Sequence, residues 1–190
     1  MSEHYVILDW QHHGKPGKND QGASNGDLVE VNLTLGYINA AKDILEDNGH
    51  RTGVLSYGWY SKRHEYACEA AKGVKGKCVY VACHVNAGEG NYSLVCHDSR
   101  SGNGKAFAEA VGTEMEGLLS RSLVQASSKE VWTNAFNTIS GIYAGPANIS
   151  GVCFEPGFID QGGHKHLWST DGLTKVGAAL AAGIINYLET

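Results

Sequence analysis

Cys78-Val79-Tyr80-Val81-Ala82-Cys83 is an unbroken apolar and aromatic run that stops abruptly at His84. A short run of this kind reads as a strand buried on both faces, the type found in parallel sheets covered by helices. Working outward, Tyr5-Val6-Ile7-Leu8 is a second such run, stopping at Asp9, and Gly151-Val152-Cys153-Phe154 is a third, stopping at Glu155. Thr52 to Ser56 and Ser93 to Cys96 are further strand candidates.

Helical patterns separate these runs. Leu28, Val31, Leu35, Ile38 and Leu45 recur at helical spacing, with Asp27 as the expected N-cap and Gly49 after Asn48 as the stop. Ser61 to Lys72 reads as a second helix, and Phe107, Val111, Met115 and Leu118 mark a third. Thr170 to Leu188 closes the chain, with Leu173, Val176, Leu180, Ile184 and Tyr187 on its apolar face. Strands alternating with helices predict an α/β fold over residues 1–190: one domain, a mostly parallel twisted sheet, and helices on both faces. Strand order does not follow from the pattern. Gly88 to Asn91 and Lys129 to Ala144 carry no clear signal and are candidate cleft walls.

Composition excludes several classes. The 25 glycines against 3 prolines show no period, so the chain is neither collagen-like nor proline-rich. The net charge of −5, with no basic stripe, argues against nucleic-acid binding. No apolar run approaches the roughly 18 residues of a membrane span, so no membrane insertion is expected. Met1-Ser2-Glu3-His4-Tyr5 lacks the basic and apolar segments of a signal peptide, which predicts synthesis in a cytoplasm. The five cysteines include no Cys-x-x-Cys pair, so they are expected to be reduced core residues.

The chemistry concentrates where strands end, the usual ligand crevice of open α/β sheets. Asp9-Trp10-Gln11-His12-His13-Gly14 follows the first strand, Cys83-His84-Val85-Asn86-Ala87-Gly88 the central one, and Glu155-Pro156-Gly157-Phe158 the last. This placement brings His12 or His13, His84 and Glu155 to one rim, and Glu30 at the start of the first helix can reach it. Read alone, Glu30 could instead complete a capping box with Asp27. Two imidazoles and one carboxylate suit zinc, with a fourth position open for water.

Four segments, in order, resemble the zinc-dependent N-acetylmuramoyl-L-alanine amidases of the type 3 family. Ile7-Leu8-Asp9-Trp10-Gln11-His12-His13-Gly14 resembles the opening Asp-Pro-Gly-His-Gly-Gly motif, and Glu30-Val31-Asn32-Leu33 the Glu-x-Asn-Leu helix start. Cys83-His84-Val85-Asn86-Ala87 resembles Ile-His-Ala-Asn-Ala, and Glu155-Pro156-Gly157-Phe158 the late Glu-x-Gly-Phe motif. The likeness runs from Val6 to Leu188. It implies zinc ligands at His12, Glu30 and His84 and a catalytic glutamate at Glu155. Trp10-Gln11 replaces the usual proline and glycine, and His13 a glycine, which leaves His13 as an alternative ligand. Arg63 resembles an arginine on the family's second helix; by itself it reads as a solvated helix charge. Asn86 is a candidate for orienting the ligand loop or the substrate, while His164 and His166 are expected to be exposed and outside the site. Cys83, beside a ligand, is expected in the core.

The resemblance further implies peptidoglycan as the substrate and the amide between N-acetylmuramic acid and L-alanine as the bond cut. With no leader expected, a phage or prophage endolysin is the favoured role, reaching the wall after holin-type permeabilisation and without a separate cell-wall-binding domain. The alternatives are a zinc peptidase acting on another peptidoglycan amide and a catalytically silent peptidoglycan-binding domain.

Overall fold

The computed structural model describes residues 3–190; Met1 and Ser2, the start of the stretch read for a leader, lie outside the described residues. In chain order the strands and helices are β1 (Tyr5–Trp10), β2 (Ser24–Asn25), β3 (Leu28–Val29), α1 (Glu30–Asp47), β4 (Arg51–Leu55), α2 (Tyr60–Lys72), β5 (Cys78–Cys83), β6 (Ser93–Asp98), α3 (Gly102–Met115), β7 (Ser122–Ser127), α4 (Thr133–Tyr143), β8 (Ile149–Glu155) and α5 (Thr170–Glu189). A 3-10 helix occupies Gly162–Trp168.

The predicted α/β architecture holds. Six strands form one sheet in the order β4-β1-β5-β8-β6-β7, and β2 and β3 make a separate two-stranded ribbon. All pairings in the main sheet are parallel except β6 against β8. Alternation along each strand divides the core in two. Val79 and Val81 of β5 face α1, α3 and α5 with Val6, Leu8, Val152 and Phe154. Tyr80 and Ala82 face α2 and α4 with Ile7, Leu94 and Cys153. Fully burying a valine-sized or larger apolar side chain contributes roughly 1.5–3 kcal/mol, and all six β5 side chains are buried, alternately on the two faces. That is why it takes the centre.

Four elements depart from the sequence expectation. Asp27 is not the N-cap of α1: it lies in the turn of the β2–β3 ribbon, and the cap residue is Val29, with no side-chain cap bond. β7 went unread because Ser122-Leu123-Val124-Gln125-Ala126-Ser127 is a half-exposed edge strand without clean alternation. α4 lies within the unread stretch 129–144, and its N-cap, Trp132, has φ 53° where a capping Ser or Asp would be looked for. β6 enters the sheet reversed, which no local pattern announces.

The geometry of this fold sets the site. β1, β5 and β8 are adjacent and parallel, so their carboxyl ends open at one rim. No helix among the described residues is long and apolar enough to cross a membrane.

Candidate metal centre

His12 leaves the end of β1 with φ 65°, a left-handed conformation uncommon for a residue with a side chain. Its environment determines that turn. Arg63 of α2 is fully buried and donates to the Asp9 carboxylate, to the carbonyl of Trp10 at 3.0 Å and to the carbonyl of His13. Asp9 also accepts from the Tyr80 hydroxyl and the Gln11 amide. Burial pushes the Asp9 carboxyl up, and the Arg63 guanidinium opposes it. Arg63 is therefore not a solvated helix charge. It clamps both sides of the His12 turn.

The two adjacent histidines face opposite ways. His13 is exposed, stacks on Trp10 with ring centroids 3.7 Å apart, and places Nδ1 3.0 Å from the Ser56 carbonyl. His12 turns inward, with Nδ1 2.9 Å from Asp20 Oδ1. Asp20 in turn accepts from the Lys15 ammonium at 2.6 Å. His12 Nε2 then lies 3.2 Å from both Glu30 Oε1 and His84 Nδ1.

Glu30 is the first residue of α1, where the helix N-terminus favours a carboxylate. It is not spent on a capping box. One oxygen accepts from Ala23 N at 2.8 Å and the other from Val85 N at 3.0 Å, the latter also lying 3.0 Å from His84 Nδ1. Gly22, with φ 69°, permits this close approach: a Cβ there would sit 2.3 Å from Glu30 Oε2. Burial alone would raise the Glu30 carboxyl, but the hydrogen bonds and charge of His12 and His84 outweigh it and hold the group well below the carboxylate range.

His12 Nε2, Glu30 Oε1 and His84 Nδ1 thus form a triangle with edges of 3.0–3.2 Å. A tetrahedron with nitrogen and oxygen donors about 2.0–2.1 Å from its centre has edges of about 3.3 Å. The donor set and its spacing fit a zinc ion. The carboxylate behind His12 Nδ1 is the support a metal-ligating imidazole usually has. This triad is the group of metal-competent side chains found among the described residues.

Glu155 ends β8 and lines, with the three donors, a cavity of about 390 Å³. Burial pushes its carboxyl up and the Glu30 carboxylate adds to this, while His84 opposes it. Its side-chain hydrogen bond is with the Cys153 thiol at 3.9 Å, which leaves the carboxyl available to the cavity. The wall facing it comes from α4, through Asn134, Asn137 and Thr138, so the unread stretch 129–144 is a cleft wall. Asn86 also lines the cavity, and its backbone bridges the two rim loops: its N–H donates to Gly157 O at 2.9 Å, and its carbonyl accepts from Ile159 N at 2.8 Å.

His164 and His166 stand apart from the triad. His166 is exposed as expected, but His164 is buried, accepting from Phe158 N at 2.9 Å and lying 3.2 Å from Asn91 Oδ1. All five cysteines are free; Cys68 is half-buried and the other four, Cys83 included, are buried. Asp20 and Lys15 were missed from the sequence. The signal was their position in a glycine-rich loop directly after the histidines, a segment with no periodic pattern to place them.

No protein-family model matches the sequence, and neither does any curated protein. Among solved structures the likeness is to N-acetylmuramoyl-L-alanine amidases. AmiC2 of Nostoc punctiforme is 20% identical over 100% of this chain and 99% of its own, with a TM-score of 0.74. The catalytic domain of CwlV from Bacillus (Paenibacillus) polymyxa var. colistinus is 18% identical over 97% and 98%, with a TM-score of 0.73. An endolysin catalytic domain targeting Clostridia Difficile is 13% identical over 96% and 97%, with a TM-score of 0.67. At such identities the likeness establishes the fold, as the motif resemblance anticipated.

Proposed function

We propose that this chain is a zinc-dependent N-acetylmuramoyl-L-alanine amidase. The observation that carries the reading is the convergence of His12, Glu30 and His84 on one point, with Glu155 lining the same cavity. That this occurs on a fold shared with N-acetylmuramoyl-L-alanine amidases supports it.

His12, Glu30 and His84 would hold the metal, which when bound supplies Lewis acidity toward the scissile carbonyl and makes a water more acidic. Glu155 takes a proton from the attacking water and returns it to the departing L-alanine nitrogen. The carbon–nitrogen bond breaks, giving the lactyl carboxylate and a peptide with a free amino terminus. The raised Glu155 carboxyl suits both halves of this exchange. Asp20 keeps the His12 ring aimed, and Asn86 holds the β5 and β8 loops in register.

The biological role that fits is cell-wall lysis as a phage or prophage endolysin, with residues 1–190 as the catalytic unit and a holin-type permeabilisation giving access. The endolysin domain among the similar structures supports this version.

The test is elemental analysis together with mass profiling of digested peptidoglycan, for wild type and Glu155→Ala. About one zinc per chain in both proteins, with stem peptides bearing free alanine released by wild type alone, is the expected result. Release of fragments cut within the stem would move the reading to a peptidase. Zinc without release would leave a binding domain. Absence of zinc would sink the site. Co-expression with and without a holin, scored by culture turbidity, tests the endolysin role: lysis should require the holin.

A further inference from the structure

A second and larger cleft, of about 900 Å³, lies between α2 and α4 on the sheet face that carries Tyr80. It adjoins the metal cavity: Tyr60 and Asn137 line both. Its floor is a tight helix contact. A Cβ on Gly141 would lie 2.4 Å from His64 Nδ1, and one on Gly145 2.4 Å from Cys68 Sγ. Above that floor the walls are small residues such as Ser61, Ser140 and Ala144, so the groove stays open.

We propose that this groove binds the stem peptide on the leaving-group side of the scissile amide, in extended form. The proposal rests on the amidase reading and names where the peptide half of the substrate lies. Three observations favour a peptide. The first is length: Tyr60 to Lys72 spans twelve residue steps of α2, about 18 Å, and five extended residues span about 17 Å.

The second is polarity. A peptide released from a muramoyl amide has its amino terminus at the metal cavity, so its carboxyl terminus points down the groove, where Lys72 lines the far end. Lys72 is paired only with Glu69, at 2.6 Å, and both side chains are more than 60% exposed. Such a pair gives up its lysine at little cost.

The third is hydrogen bonding. Among the described residues, the side chains of Ser61, Asn137 and Ser140 have no protein partner, and backbone amides of a peptide could take them up. A glycan strand would look for broad aromatic faces, and Tyr60 is the only tyrosine or tryptophan lining the groove.

The experiment compares kcat/KM for two soluble substrates, N-acetylmuramoyl dipeptide and N-acetylmuramoyl pentapeptide, in wild type, Ser140→Trp and Lys72→Glu. Wild type should prefer the pentapeptide by about tenfold or more, the scale of one charge-assisted hydrogen bond. In both variants the long-to-short ratio should fall to about one. Lys72 is exposed, so its variant keeps the test valid if Ser140→Trp fails to fold. No length preference in wild type, or a preference that survives both substitutions, overturns the proposal. If wild type cleaves neither substrate, it is the amidase reading that has failed. Calorimetry of the free pentapeptide against wild type and Lys72→Glu then decides the groove: weaker binding by the variant supports it, and equal or absent binding overturns it.

Discussion

Asp20 Oδ1 stands 2.9 Å from the Nδ1 of His12, on the side of the ring away from Glu30 and His84, and is itself held by Lys15. Burial works against the Asp20 charge, but Lys15 and His12 outweigh it and keep the carboxyl well below its ordinary range. It therefore stays ionised and fixes the ring with Nε2 facing the triad. Asp20→Ala should lower zinc affinity by about 10–100-fold, measured by competition with a chromophoric chelator. Equal affinity would show that the backbone alone aims the ring.

Glu155→Gln keeps the size of the side chain and removes the proposed base. Turnover should fall by about 10²–10⁴-fold while bound metal, measured on the same sample, stays at the wild-type level. A variant that keeps its activity would reassign the proton transfer.

Activity should also be lost at mild acidity. Burial raises the Glu155 carboxyl, so its basic form disappears as pH falls through a value above the ordinary glutamate range. The acid limb of kcat/KM should sit above the ordinary glutamate range where burial outweighs the bound cation, whose charge pulls the carboxyl the other way. Metal content at each pH separates this limb from protonation of His12 and His84. A limb that tracks metal loss throughout would remove Glu155 from the explanation.

Arg63→Met leaves Asp9 buried without its cation. Breaking a buried pair in this way costs about 3–5 kcal/mol, which urea unfolding should reveal as a lower midpoint at unchanged slope. Asp9→Asn added to Arg63→Met should recover part of the loss, because the stranded charge is gone. The single variant should also bind zinc more weakly, since Arg63 secures the carbonyls on both sides of the His12 turn.

The strands that carry the site were legible because each is short and apolar and runs into polar residues: His84 and Glu155 mark the rim as plainly in the sequence as in space, whereas β1 continues through the buried Asp9 to Trp10. What stayed hidden was set by distant partners. His12 and His13 have the same local neighbours, and only the Asp20 contact, with the stacking of His13 on Trp10, separates them. Arg63 sits among Lys62, His64 and Glu65 in a helix that looks solvated, and becomes a core residue because Asp9 waits beneath it. β7 was obscured because an edge strand needs little apolar alternation, and α4 because asparagine, threonine and glycine dilute its helical pattern. The insertion of β8 between β5 and β6 joins segments with the rest of the fold between them, and no window of sequence contains it.

The reversed β6 has a consequence for how this molecule could change. Because β6 runs opposite to β5, the chain from His84 to Tyr92 leaves and re-enters the sheet at the same rim, stepping over the end of β8 where Glu155 stands. It is moored there by Asp160, which accepts from the N–H groups of Gly88 at 2.8 Å and Glu89 at 3.1 Å. Residues inserted after Glu89 would leave the strand pairings and the contacts of His84, Val85 and Asn86 in place. The fold thus offers a place beside the cavity where chain length can vary without moving the residues that line it.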